Sequence, residues 1–331
     1  MSTPEIDFVI TWVDGSDPLW QAQKKQFTKT SHADDSAIRY RSWELLRYWF
    51  RGVEAYAPWV RKIHFVTWGH LPPWLQTEHP KLHIVRHEDY LPAEWLPTFN
   101  SHTLELSMHK IPDLAEHFVY FNDDLFLLNP QKPENFFSGG LPCDSAVLSP
   151  AIVEAWQDVG FVALNNMGVI NAHFSKKDVM HQNLGKWFSP RYGKQLLRTL
   201  CLSPWRHFPG FFNDHLPQPF LRTTFEHVWE AEAALLEQTS ACRFRDYHNN
   251  VSPWLMRYWQ FCEGHFVPAS PKRGMDVTRL PMALVAQIIS QQRTDMICFN
   301  DSEQIADFAA ASKQMQSAFE CILPTPCGFE K

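Results

Sequence analysis

The 331-residue chain has no apolar run approaching the roughly 18 residues needed to span a bilayer. Its first residues, Met1-Ser2-Thr3-Pro4-Glu5, lack the basic segment and apolar core of a secretory leader. A block of like charge is missing too. Lys and Arg number 30 against 36 Asp and Glu, giving a net charge of −6 and a pI near 6.2. That balance argues against a nucleic-acid partner held by phosphate neutralisation. Seven cysteines, odd in number and without close pairs, fit reduced thiols in a cytosol better than a disulfide framework. Cys and His never fall at zinc-ligand spacings. Neither Gly-x-x-x-x-Gly-Lys nor Gly-x-Gly-x-x-Gly occurs, which disfavours P-loop and dinucleotide-cofactor enzymes. No internal repeat or low-complexity linker divides the chain, so one composite domain over residues 1–331 is expected.

What is present is the composition of a folded, cytosolic protein, 45% hydrophobic and 20% charged. The 14 Trp and 16 His stand out. Trp covers sugar rings and bases, and His serves as acid, base or ligand, but an aromatic core with surface His has the same counts.

Ile6 to Val13 is a nearly continuous run of β-branched and aromatic residues, halted by Asp14-Gly15-Ser16-Asp17-Pro18. It predicts a buried strand ending in a turn. The polar segment 22–38 predicts a short helix and a loop. Ser42 is placed to cap a helix carrying Trp43, Leu46, Phe50, Val53 and Ala57, ended by Pro58. Ile63–Trp68 and Leu82–His87 predict strands, and Ser101–Lys110 a helix before Pro112. Phe118–Phe121 predicts a fourth strand, delivering Asn122-Asp123-Asp124 at its C-terminal end. The alternation specifies an α/β fold with a mostly parallel sheet and flanking helices. Ligands bind such sheets beyond the C-terminal strand ends, so the Asp14–Asp17 and Asn122–Asp124 turns should open onto one crevice. Past residue 130, Asn165-Asn166-Met167-Gly168 predicts a turn and Phe208-Pro209-Gly210 a loop. Thr224–Glu237, Met282–Gln292 and Ser302–Phe319 predict helices.

Two adjacent carboxylates, Asp123 and Asp124, repel unless a cation compensates, so they suit a hard divalent ion; an Asx turn is the alternative. Asp14-Gly15-Ser16-Asp17 fits either a phosphate-facing turn or a plain strand end, and lacks the spacing of a calcium loop. Arg39-Tyr40-Arg41 and Arg243-Phe244-Arg245, if extended, aim paired guanidiniums at one anion; surface ion pairs are the alternative. His215 falls in a loop expected to be exposed.

Taken together these segments resemble the Stealth family of sugar-1-phosphate transferases, which includes bacterial capsule polymerases and the lysosomal-enzyme N-acetylglucosamine-1-phosphotransferase. The likeness begins at Ile6–Asp17 and passes through Arg39-Tyr40-Arg41, Ala57–Ile63, Leu96–Ser101, Glu105 and His109-Lys110-Ile111 to Tyr120–Asp124. A later block runs from His215-Leu216-Pro217 to Arg243-Phe244-Arg245. The resemblance implies a nucleotide-sugar transferase (GT-A-like) core with a helical C-terminal part. Residues 1–130 would bind the nucleotide sugar, and 131–331 would supply the acceptor and catalytic half.

It implies transfer of a hexose-1-phosphate, in the first instance N-acetylhexosamine-1-phosphate, from a UDP-sugar to a glycan hydroxyl, forming a phosphodiester in a capsular or extracellular polysaccharide. By position, Asp124, His215 and Arg245 are catalytic, and Asp123 and Asp124 hold Mg²⁺ or Mn²⁺. Asp14, Gly15, Asp17, Arg39 and Arg41 belong to the nucleotide end. Membrane contact is expected only through membrane-bound assembly partners at the inner face. Ser42, Trp68 and Asn249-Asn250 depart from the family's usual residues and bear on donor identity and the remaining metal ligands. A glycosyltransferase of similar fold is the alternative, distinguished by releasing UDP rather than UMP. A non-catalytic glycan-binding module would release neither.

Overall fold

The computed structural model describes residues 4–28, 41–156, 158–301, 305 and 307–331. The first half contains β1 (Ile6–Trp12), α1 (Pro18–Thr28), α2 (Leu46–Tyr56), β2 (Ile63–Thr67), β3 (Leu82–Arg86), α3 (Ser101–Leu106), β4 (His117–Phe121) and β5 (Leu125–Leu127). Then follow β6 (Phe137–Ser138), β7 (Leu141–Asp144), α4 (Gly160–His173), α5 (Lys176–Gln182), α6 (Leu184–Trp187), α7 (Leu196–Leu202) and β8 (Gln218–Leu221). The chain closes with α8 (Arg222–Ala241), α9 (Trp254–Glu263), β9 (Val267–Pro268), β10 (Gly274–Asp276), α10 (Met282–Ser290), β11 (Met296–Cys298) and α11 (Phe308–Ile322).

The main sheet has the order β3-β2-β1-β4-β8. Its first four strands are parallel and β8 runs antiparallel to β4. Strand β1 is mostly apolar without alternation, Asp7 and Thr11 apart, because both its faces are covered. Phe8 and Ile10 point into a core built with α2, α10 and α11, and Val9 into a second core built with α4, α8 and α9. The fold is therefore α/β with a mostly parallel, two-sided sheet, as the strand and turn pattern requires.

Late segments complete early ones. β8 extends the sheet of β1–β4, and β11 pairs antiparallel with β5. Arg51 of α2 donates to Glu330 at 2.6 Å and to the Leu323 carbonyl at 2.8 Å, tying the C-terminus to the first half.

Several boundaries differ from expectation, each for a local reason. α1 starts at Pro18, directly after the first turn, because Asp17 Oδ1 accepts the Leu19 and Trp20 N–H groups at 2.9 and 2.8 Å. Ser42 does not cap α2. Its hydroxyl accepts the Glu44 N–H at 3.1 Å in a turn where Glu44 has φ of 57°, and the helix begins only at Leu46. Asn165-Asn166-Met167-Gly168 is not a turn but part of α4. Asn165 donates to the carbonyls of Tyr247, His248 and Asn250, and Asn166 to Ser252, so tertiary partners occupy amides that would otherwise compete with the helix. The Ser101–Lys110 helix splits into α3 and a separate 3₁₀ turn, Met108–Lys110. α11 starts at Phe308, where Asp307 accepts the Ala310 N–H at 3.0 Å; residues 302–304 lie outside the described residues.

Candidate active site

Strand order reverses between β1 and β4, since β1 connects onward to β2 and β3 on one side while β4 lies on the other. The crevice beyond that switch point is where open α/β sheets bind ligands. The Asp14 turn leaves β1 there, and Asn122-Asp123-Asp124 leaves β4 beside it.

Asp123 is solvent-accessible but closely surrounded by protein, and Asp124 lies beside it half-buried. Desolvation, with the Asp124 charge added, pushes the Asp123 carboxyl up to about 7. Desolvation, with Asp276 and Glu105 nearby, pushes Asp124 up to about 6. The Cys298 thiol lies 3.7 Å from Asp124 Oδ2, and the buried Oδ1 has no hydrogen-bond partner. A concentration of carboxylate with one orphaned oxygen is short of positive charge.

Glu105, buried on α3, sits behind this pair. The Tyr120 hydroxyl lies 3.0 Å from Glu105 Oε1 and also against Asn122 Oδ1, while Thr11 Oγ1 is 3.1 Å from the same hydroxyl. The ends of β1 and β4 are thus stitched to α3. Arg245 donates to Ser101 Oγ at 2.6 Å, one helical turn before Glu105 on the same helix. Burial raises the Glu105 carboxyl above its ordinary range, against the pull of Arg245, Ser101, Tyr120 and His215. Asp124, His215 and Arg245, which are far apart in sequence, therefore all lie within electrostatic reach of one buried glutamate.

His215 is exposed and has φ of 50°. Its loop is held from below by Arg257 of α9. This guanidinium is fully buried, bidentate to Asp144 at 2.8 Å on both arms, and donates to the Phe212 carbonyl at 2.9 Å and Asn213 Oδ1 at 2.7 Å. Asn213 also donates to the Tyr258 hydroxyl at 2.7 Å. Arg257 and Tyr258 so fix the backbone immediately before His215.

The remaining expected residues are placed differently. Asp14 Oδ1 accepts the N–H and hydroxyl of Ser16, the Asp14 N–H donates to His70 Nε2 at 2.7 Å, and the Gly15 carbonyl accepts Gln21 Nε2 at 2.8 Å. Asp17 caps α1. Arg41 forms a bidentate pair with Asp301 at 2.6 and 2.5 Å and lies 3.9 Å from the centre of the Phe308 ring. Arg39 lies outside the described residues. The second Arg triplet does not act as a pair: Arg243 donates to the Pro97 carbonyl at 2.7 Å over the Phe27 ring, whereas Arg245 faces Ser101.

Residues 4–31 match the model of Stealth protein conserved region 1, and residues 39–142 that of conserved region 2. The capsular polysaccharide phosphotransferase WcwK of Streptococcus pneumoniae is 40% identical over 332 residues, covering 99% of this chain and 98% of that protein. The chain belongs to the Stealth family. Other full-length relatives of this Stealth protein are the receptor polysaccharide phosphotransferase WefC of Streptococcus gordonii, 38% identical with 98% and 99% coverage, and the exopolysaccharide phosphotransferase cps2G of Lactiplantibacillus plantarum, 38% identical with 99% and 96% coverage. With such relatives along its whole length, the protein is a transferase. Among solved structures, the galactosyltransferase LgtC, with donor and acceptor sugar analogues, superposes over 97% of both chains with a TM-score of 0.43 and 11% identity.

Proposed function

We propose that this Stealth protein transfers a sugar-1-phosphate, in the first instance N-acetylhexosamine-1-phosphate, from a UDP-sugar to a glycan hydroxyl during capsular or extracellular polysaccharide synthesis. Residues 1–130 bind the nucleotide sugar and residues 131–331 supply the acceptor side, within one composite domain. What supports this reading is that Asp124, His215 and Arg245 all lie near enough to Glu105 to act on it by charge, in a chain whose full-length relatives are named polysaccharide phosphotransferases.

In phosphoryl transfer the protein acts chiefly by positioning and by placing positive charge around the phosphorus. Arg245, steadied by Ser101, meets the pyrophosphate with fixed donors. His215, exposed at the end of an anchored loop, takes the proton of the attacking hydroxyl. We assign Asp14, Gly15 and Asp17, together with Arg39 and Arg41, to the nucleotide end.

The orphaned Asp124 Oδ1 and the raised carboxyls of Asp123 and Asp124 fit a divalent cation, Mg²⁺ or Mn²⁺. No three His, Cys, Asp or Glu among the described residues are grouped to hold an ion. That suits a cation such as Mg²⁺, which takes one or two carboxylates and fills its shell with substrate phosphate and water. When bound it would neutralise charge developing on the phosphate oxygens.

The test is incubation with a panel of nucleotide sugars, a glycan acceptor and Mg²⁺ or Mn²⁺, followed by identification of the released nucleotide. UMP with a new phosphodiester supports the reading. UDP with a new glycosidic bond overturns it in favour of glycosyl transfer.

A further inference from the structure

Between Val179 and Asn213 the chain carries Lys186, Arg191, Lys194, Arg198 and Arg206 and no Asp or Glu, although its overall charge is −6. Most large apolar residues of this stretch, Trp187, Phe208 and Phe211 among them, are buried, but α7 is an exception. A surface helix normally turns its apolar side inward. In α7, Leu197 and Leu200 face solvent, 64% and 47% exposed, with Cys201 exposed beside them, while the buried residue is Thr199, whose hydroxyl accepts the Leu148 N–H. These positions, spaced three and four apart, form one stripe. The loop that follows, Pro204-Trp205-Arg206-His207, is exposed throughout, Trp205 by 60%. Leu184 at the start of α6 is 52% exposed. Arg198 donates to Ser149 Oγ and lies over the Phe212 ring, fixing α7 against the segment that presents the exposed Ile152.

Exposed apolar groups in such a cluster mark an interaction surface. Charge decides the occupant. A stretch that mixes exposed Leu and Trp with Arg and Lys, and itself carries no acid, matches a bilayer of anionic lipid, whose acyl boundary takes the apolar groups while its phosphates meet the cations. No helix among the described residues is long and apolar enough to cross a membrane, so such contact is interfacial.

We propose that the face formed by residues 184–207 docks on an anionic membrane surface, with Leu197, Leu200 and Trp205 entering the headgroup layer and Arg191, Lys194 and Arg206 meeting lipid phosphates. Contact is made by the chain itself, not only through membrane-bound partners. This holds whatever group the enzyme transfers.

The test is co-sedimentation of the full-length protein with vesicles of phosphatidylcholine alone and of phosphatidylcholine mixed with phosphatidylglycerol. Binding should require phosphatidylglycerol and fall as salt shortens the screening length from about 10 Å at 0.1 M to about 3 Å at 1 M. Replacing Arg206 by Gln should weaken binding about fivefold, the equivalent of about 1 kcal/mol per basic residue near the surface. Leu197→Asp with Leu200→Asp should abolish it while circular dichroism and turnover of a soluble acceptor stay unchanged. Equal binding to neutral vesicles, no binding to either, or full binding by the Asp variant overturns the proposal. So does a lipid-free dimer in sedimentation velocity that the Asp variant dissociates, because a second copy would then cover this face.

Discussion

Replacing Arg257 by Met should separate stability from activity. The guanidinium makes four hydrogen bonds, two to Asp144, one to the Phe212 carbonyl and one to Asn213, and neither it nor Asp144 is exposed. Taken singly, bonds to charged groups contribute about 1.5–3 kcal/mol each, which for four would rival the stability of a whole domain. The desolvation of two ions offsets most of that sum. What decides the cost is the partner left behind: a buried carboxylate without its counter-ion destabilises by about 3–5 kcal/mol.

Gln218 and the Ser145 N–H still bond Asp144, at 2.6 Å each, which places the loss toward the lower end. In the native protein Arg257 holds the Asp144 carboxyl below its usual range despite burial. Without Arg257 burial prevails and raises it, so the penalty should be small in acid and grow as pH rises through the aspartate range. The double variant Asp144→Leu with Arg257→Met removes the buried charge altogether and should recover most of the stability. It should not recover activity, because the Phe212 carbonyl and Asn213 still lack the donor that sets the His215 loop. Urea unfolding followed by tryptophan fluorescence, with kcat measured on the same samples, checks both halves. A single variant costing under about 1 kcal/mol would refute the buried-charge reasoning. A fully active double variant would refute the loop-anchoring role.

Three further outcomes are expected. Asp124→Asn, His215→Ala and Arg245→Ala should each reduce turnover at least a hundredfold, on the order of a lost transition-state contact, with unchanged circular dichroism; a variant that keeps near-native kcat removes its residue from the reaction. Divalent-cation affinity should rise as pH increases through about 6 to 7, because Asp123 and Asp124 must lose protons they hold unusually tightly. Calorimetry in buffers of different ionisation enthalpy should show proton release on Mn²⁺ binding, and the metal-free protein should lose stability as pH rises from the ordinary aspartate range, the loss levelling off above about 6 to 7. Asp7 behaves oppositely: burial raises its carboxyl, but bonds from His64, Arg61 and the Ala115 N–H outweigh this and hold it low. Its stabilisation is present above the ordinary aspartate range and lost as acid protonates it, so Asp7→Asn should cost about 2–3 kcal/mol at neutral pH and flatten the acid limb of the stability curve.

The sheet was legible because its strands are short apolar runs closed by strong turn residues. Asp14-Gly15 after β1 and Asn122-Asp123 after β4 mark both the ends of the strands and the edge of the crevice. Helix starts were harder to read, because capping competes with tertiary contacts. Ser42 has the side chain of a cap, but a left-handed Glu44 comes between it and α2. Asn165 and Asn166 look like turn residues until carbonyls of Tyr247, His248 and Asn250 take the amide of the first and the Ser252 hydroxyl that of the second. Glu105 offered a weak clue, an acid on the buried side of a short helix four residues after Ser101, and its importance depends on Tyr120 and Arg245 arriving from elsewhere. The Asp144–Arg257 pair joins residues 113 apart and leaves no periodic trace. Arg243 and Arg245 show the limit of spacing as a guide: alternate residues share a side only while the backbone stays extended, and here one ends on the Pro97 carbonyl and the other on Ser101.

Charge ties the buried glutamate to the proposed chemistry. Around Asp124 the described residues bring Asp123, Asp276 and Glu105, while Arg245 is the guanidinium acting on Glu105. Desolvation, with these neighbouring charges added, makes Asp123 and Asp124 ionise reluctantly, which is why both sit well above the ordinary aspartate range. A pyrophosphate entering the same crevice adds further negative charge, and one guanidinium cannot balance both sets. On the phosphotransferase reading a bound cation would keep the Asp123 and Asp124 carboxylates ionised and offset the charge of the donor's phosphates beside them. Glu105 then serves best as a positioning residue. From beneath the crevice it holds Tyr120 through its hydroxyl and attracts Arg245 by charge, leaving Asp123 and Asp124 at the surface that a substrate would meet on that reading.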